Sequence, residues 1–244
     1  MPLAATVKGL GLESILDIVR YFKTQMTQLG ITIRLGQEVS LPIIKEVGPE
    51  VVILATGGVN TIPKIPGINN HKVVNSSKLH SRLETALRFF GPKVLEWLTK
   101  WWMPIGKRVI IIGGAMQGCQ LAEFLVKRGR EVVIVEKTEK LGEGLLADDP
   151  ARLFKWLSEK GATMFAGVKY EEITDKGLVI STKEGKKQTL EADTIITAFP
   201  LQPTADLMES LKGKGFEIYQ IGDCRESGFI AEAIADGSRV ARLI

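Results

Sequence analysis

The stretch RVIIIGGAMQGCQLAEFLVKRGREVVIVEK, residues 108–137, carries the residue types for one kind of chemistry. Val109 to Ile112 predict a buried strand, Gly113 and Gly114 a tight turn, and Gly118 a close approach of the next helix to that strand. The free N–H groups where that helix begins, over Ala115, Met116 and Gln117, offer partial positive charge to a pyrophosphate. Glu136 closes the following apolar strand, twenty-three positions after Gly113. A carboxylate there accepts hydrogen bonds from both hydroxyls of an adenosine ribose and repels a 2′-phosphate, which favours NAD(H) over NADP(H). Lys137 and Lys140 stand close by in sequence and soften that repulsion. The middle glycine of the G-x-G-x-x-G pattern is replaced by Ala115, whose methyl is expected to weaken binding without abolishing it. The bare pattern is common; its place between two apolar strands gives it weight.

Two shorter signals flank this unit. "ATGG", Ala55, Thr56, Gly57 and Gly58, ends an apolar run upstream, and "IGDC", with Gly222 and Asp223, follows another downstream. A last helix is expected from Phe229 and Ile230. No residue set reads as a catalytic acid, base or nucleophile, and none as a metal site. His71 and His80 read as surface or capping residues. Cys119 and Cys224 are the two cysteines, far apart and without a C-x-x-C pair, so disulfide-exchange chemistry falls. They are expected as half-buried thiols in a reducing compartment, the cytoplasm.

The surrounding pattern supplies the elements that must position these groups. Leu12, Ile15, Leu16, Val19, Phe22, Met26 and Leu29 recur at helical spacing up to Gly30. "ITIRL" (31–35) predicts a strand, 40–46 a short helix, and "VVILATGG" (51–58) a buried strand with its turn. "IPKIPGI" is a proline-stiffened loop. Residues 82–103 hold Phe89, Phe90, Trp97, Trp101 and Trp102 in helical turns broken at Gly91-Pro92, an aromatic stretch suited to packing or to an interface. Beyond the quoted unit come a helix near 149–160, strands around "TMFAG", "VKYEEI" and "GLVIST", a turn at "EGKKQT", the strand "DTIITA", a helix at "QPTADLMESL" and the strand "EIYQIGDC". Alternating strands and helices predict an α/β fold with a parallel sheet.

Taken in order, "ATGG", "IPKIPGI", "GKRVIIIGG", "GCQLAEFLVKRG", "EADTIITA" and "YQIGDC" resemble the C-terminal NAD(P)/FAD-binding half of the 2,4-dienoyl-CoA reductase, enoate reductase and trimethylamine dehydrogenase group. The resemblance implies a Rossmann-like NAD(P) domain, 104–197, inserted into a partial FAD-type domain built from 1–103 and 198–244. It implies that Asp223 meets the flavin ribityl chain, that Ala55, Thr56 and Gly57 line the flavin site, and that the helix from Phe229 aims its positive end at the flavin ring. It also implies an activity, hydride transfer from NADH to FAD, and a larger partner, an N-terminal barrel with FMN and an iron–sulfur cluster. The group's own FAD fingerprint is expected before residue 1, so the chain by itself is expected to hold FAD weakly and to expose edges that invite self-association. Gln120 stands where the group often has Glu.

A net charge of +4 is spread along 244 residues with 25% charged and 45% hydrophobic, which argues against nucleic-acid binding. No apolar run reaches the roughly 18 residues of a membrane span. The alternative to a flavoenzyme module is a nucleotide-binding or docking module without turnover.

Overall fold

The computed structural model describes residues 15–75, 105–145 and 150–244. They divide into two compact units, one from the described residues within 15–30 and 62–199, the other from Ile31–Thr61 and Pro200–Ile244.

In the first unit, β3 (Val73–Asn75), β10 (Thr194–Thr197), β4 (Arg108–Ile112), β5 (Glu131–Val135) and β6 (Thr163–Phe165) form one sheet in the order β3-β10-β4-β5-β6. Every neighbouring pair in it is parallel. A parallel sheet is covered on both faces, so its central strands are apolar at every position rather than alternating. β4 and β10 obey this: Ile110, Ile111, Ile112, Ile195 and Ile196 have no exposed surface. Odd and even residues then serve different cores, as the two-residue period requires. Val109, Ile111 and Ile134 pack with Leu125 of α3 (Met116–Val126) and Leu157 of α4 (Pro150–Glu159). Ile110, Ile112 and Ile195 pack with Ile173, Leu178 and Ile180. Those last residues belong to an antiparallel meander of β7 (Lys169–Thr174), β8 (Gly177–Ser181) and β9 (Lys187–Glu191). The helix α1 (Ile15–Gln28) also falls in this unit.

The second unit is smaller. β1 (Val51–Leu54) pairs in parallel with β12 (Glu217–Gln220), and β2 (Gly58–Asn60) pairs antiparallel with β11 (Leu201–Pro203). Its core gathers Ile44, Leu54, Leu211 and Cys224. The helices are α2 (Leu41–Val47), α5 (Asp206–Leu211) and α6 (Ile230–Val240). Pro42 opens α2, and Gly48, at φ 61°, closes it in the left-handed conformation that glycine adopts without a steric penalty.

Several expectations are corrected. "ITIRL" is not a strand; it pairs with nothing described, and Ile31, Ile33 and Leu35 are all exposed. A strand-like pattern without a neighbour has no ladder to join. "EGKKQT" is only partly a turn, since β9 begins at Lys187. Within the expected 1–103 segment, β3 pairs with β10 in the sheet of the first unit. Both cysteines are fully buried and free, not half-buried. Residues 82–103 and His80 lie outside the described residues.

Candidate functional site

The chain leaves β4 at Ile112 and turns through Gly113, which takes φ +110°. A β-carbon there would lie 2.5 Å from the Ala198 carbonyl oxygen, so only glycine fits both the angle and the space. Gly118, one turn into α3, is tighter still: its β-carbon would lie 1.9 Å from the Gly113 carbonyl oxygen. The sequence reading assigned Gly118 to helix–strand packing; its nearest neighbour is the turn itself. Ala115 takes the position just before α3, with extended backbone and no side-chain cap. Its side chain therefore leaves the first-turn amides uncapped, although the Met116 amide donates to the Glu143 carbonyl at 2.9 Å.

Glu136 directly follows β5. Its Oε2 accepts the Gly114 amide at 2.7 Å and its Oε1 the Thr138 amide at 2.8 Å. An ionised carboxylate has about four acceptor positions. Two are used, so each oxygen retains capacity for a ribose hydroxyl while the backbone fixes its direction. Lys137 and Lys140 are exposed beside it. The Gly114 amide is thus joined to Glu136 and the Gly113 amide to the Val135 carbonyl, with Ala115, Met116, Gln117 and Gly118 continuing from the turn into α3.

Sequence reasoning missed the segment after Glu136. The Gly142 amide donates to the Gly114 carbonyl at 2.7 Å, and a β-carbon on Gly114 would lie 2.4 Å from Leu141 Cδ2. The 138–145 loop therefore rests on the glycine turn. Its only sequence signal is the pair Gly142 and Gly144, both at positive φ. Cys119 Sγ donates to the Gly114 carbonyl at 3.3 Å. Burial pushes this thiol up to about 11, with the charge of Glu136 adding to it and a Gly142 backbone hydrogen bond opposing. It is a protonated structural donor, not a nucleophile.

In the second unit the two flanking motifs come together. β1 and β12 run in parallel register, so Ala55, Thr56 and Gly57 leave one strand at the same end as Gly222 and Asp223 leave the other. The Ile221 amide donates to the Leu54 carbonyl at 3.0 Å, and a β-carbon on Gly58 would lie 3.4 Å from the Asp223 carbonyl oxygen. Thr204 and Thr56 hydroxyls lie 3.3 Å apart, and Thr204 also donates to the Gly57 carbonyl. Asp223 Oδ1 accepts the Gly228 amide at 3.0 Å, which leaves Oδ2 for a ligand hydroxyl. Phe229 precedes α6 and Ile230 begins it, and the Glu232 carboxylate accepts the Phe229 amide at 2.9 Å.

One further residue escaped the sequence reading. Asp236, buried on α6, accepts the Gly222 amide at 3.1 Å and pairs with Arg225 Nε at 2.9 Å and Arg239 at 3.2 Å. The Gly222 hydrogen bond, followed by the two arginines, holds its pKa below the usual carboxylate range, against the effect of burial. Among the described residues no group of three or more His, Cys, Asp or Glu is placed to hold a metal ion. None of the described helices is long and apolar enough to cross a membrane.

A parallel sheet whose glycine turn, helix start and strand-end carboxylate converge defines a dinucleotide-binding α/β protein. The family model for pyridine nucleotide-disulphide oxidoreductases matches residues 44–237, and the chain belongs to that family, whose members bind NAD(H) and FAD. It is 27% identical over 93% of its length to the bilirubin reductase of Mediterraneibacter gnavus (strain CC55_001C), and 25% identical over 91% to the NADH oxidase of Thermoanaerobacter brockii. It covers 32% of each. A solved complex of 2-naphthoyl-CoA reductase superposes on all of the chain with a TM-score of 0.81 and 29% identity, over 34% of that protein. The chain thus spans about a third of the proteins it matches. The expected kinship with the NAD(P)/FAD-binding half of the enoate-reductase group stands on these matches.

Proposed function

We propose that the chain is the electron-entry module of a flavin-dependent NAD(H) oxidoreductase of the enoate-reductase kind. The observation that carries this is the parallel register of β1 and β12, which brings Ala55–Gly57 and Asp223, far apart in sequence, to one end of a strand pair. Ligands of open α/β sheets sit at the carboxyl ends of the strands. The first unit has the same arrangement at Gly113 and Glu136.

The α3 amides and Gly113–Gly118 meet the pyrophosphate of NADH, and Glu136 orients its adenosine ribose. Asp223 accepts a ribityl hydroxyl, Ala55–Gly57 bring bare backbone to the flavin, and the start of α6 lends its partial positive charge. The flavin that Asp223 and Ala55–Gly57 would hold would supply an acceptor for the hydride of reduced nicotinamide. The protein needs no nucleophile for this, in keeping with two buried, free cysteines. Its residues bind, orient and exclude water.

A remaining FMN/iron–sulfur barrel would supply the final acceptor site. The docking alternative draws support from Ile31, Ile33 and Leu35, three exposed apolar side chains in alternation, with Leu35 89% exposed. Turnover separates the two readings. The whole chain, mixed with FAD and an artificial electron acceptor, is expected to oxidise NADH, and Asp223→Ala is expected to remove most of that rate. A docking module would bind NADH without consuming it.

A further inference from the structure

The structure raises a question about Glu136 that the glycine pattern leaves open: what holds the strand end that carries it. The backbone on either side is pinned by the sheet, with the Glu136 amide donating to the Phe165 carbonyl at 2.8 Å and its carbonyl accepting the Val168 amide at 3.2 Å. One side chain adds to this. Tyr170 of β7 donates its hydroxyl to the Val135 carbonyl at 3.2 Å, and the same oxygen accepts the Gly113 amide at 2.9 Å. Val135 immediately precedes Glu136, so the phenol and the Gly113 amide share the carbonyl next to the carboxylate-bearing residue.

We infer that Tyr170 is a positioning residue for Glu136, holding the strand end so that the carboxylate meets the 2′- and 3′-hydroxyls of an adenosine ribose; this rests on the reading of Glu136 as the ribose acceptor. Two independent features support it. The β7–β8 register shifts between Tyr170 and Glu172, and such a bulge re-aims a side chain that a regular strand would point elsewhere. Burial, joined by the negative charge of Glu136, pushes the phenol's pKa upward, so the hydroxyl keeps its proton and stays a donor to the carbonyl. The ring itself packs against the core that includes Ile112 and Val135, and phenylalanine would fill the same space without the hydrogen bond to the Val135 carbonyl.

The experiment is a pair of titrations, NADH and NADPH, on the whole chain carrying Tyr170→Phe, Glu136→Ala or both. Tyr170→Phe is expected to weaken NADH by about fivefold, the worth of one neutral hydrogen bond, and to leave NADPH unchanged. In the Glu136→Ala background the same substitution is expected to change neither affinity, because no carboxylate remains to be aimed. A purely structural tyrosine would weaken both nucleotides alike, or weaken NADH equally in both backgrounds; either result overturns the inference while Glu136 keeps its role. Equal affinities in the unsubstituted chain would instead overturn the Glu136 reading, and the inference with it.

Discussion

The two units bury their strands to different degrees. In the first, five parallel strands have both faces covered, one by α3 and α4 and the other by the β7–β9 meander. In the second, the core gathers four buried side chains, Ile44, Leu54, Leu211 and Cys224, beside the β1–β12 pair, and Ile31, Ile33, Leu35, Val39, Val47 and Ile53 stay exposed. Apolar burial is the main favourable term in folding, at about 25 cal/mol per Å². The Gly113–Gly118 turn therefore sits on the more deeply buried scaffold, whereas the Asp223 loop depends on fewer buried contacts and on hydrogen bonds such as that from Gly222 to Asp236.

The largest expected effect is at Gly118. A valine there would press into the Gly113 carbonyl, already 1.9 Å from where the first added carbon must go. Gly118→Val is expected to destabilise the first unit by on the order of 3 kcal/mol or more and to abolish NADH binding, read by thermal melting and by titration. A variant with a normal melting temperature and normal affinity would break the comparison, because the turn would then not be close-packed.

Next is the order of melting. Two units of unequal core are expected to give two calorimetric transitions rather than one, with the second unit melting first. Saturating NADH should raise only the upper transition, by about 2.7 kcal/mol of stability at a hundredfold excess over Kd. A single transition that NADH shifts as a whole would show that the units do not melt independently.

Glu136→Ala comes third. Removing a charge-assisted acceptor is expected to narrow the NADH-over-NADPH preference by about 1–2 kcal/mol, measured by titrating both nucleotides.

The smallest effect concerns acid. Asp193, at the start of β10, accepts hydrogen bonds from Arg108 of β4, which first among several causes holds its pKa at about 2. A depressed carboxylate contributes stability above its unfolded pKa of about 4, and that contribution is lost as pH falls towards 2. Asp193→Asn should therefore lower the upper transition at neutral pH and make it less sensitive to acid. The pair is partly exposed, so the effect is modest.

How much was legible in the sequence follows the same division. Gly113, Gly118 and Glu136 could be read because a tight turn and a strand-end acid leave fixed residue types at fixed spacing. The apolar runs at β4 and β10 announced buried parallel strands for the same reason. The 138–145 loop was not legible, because it docks through backbone groups such as the Glu143 carbonyl, which every residue type carries. Tyr170 was hidden since a strand tyrosine reads as ordinary packing until its bulge and its partner are known. "ITIRL" misled because alternation reports a capacity to pair and not the presence of a neighbour. The place of β3 in the sheet was not legible because the strand has three residues, too few to show a period.

The most direct test of the central claim is the oxidation of NADH by the whole chain with FAD and an artificial acceptor, followed as loss of the reduced nicotinamide absorbance. The account predicts turnover that requires FAD, prefers NADH to NADPH, and falls sharply in both Asp223→Ala and Glu136→Ala. Tight NADH binding with no FAD-dependent oxidation would contradict it.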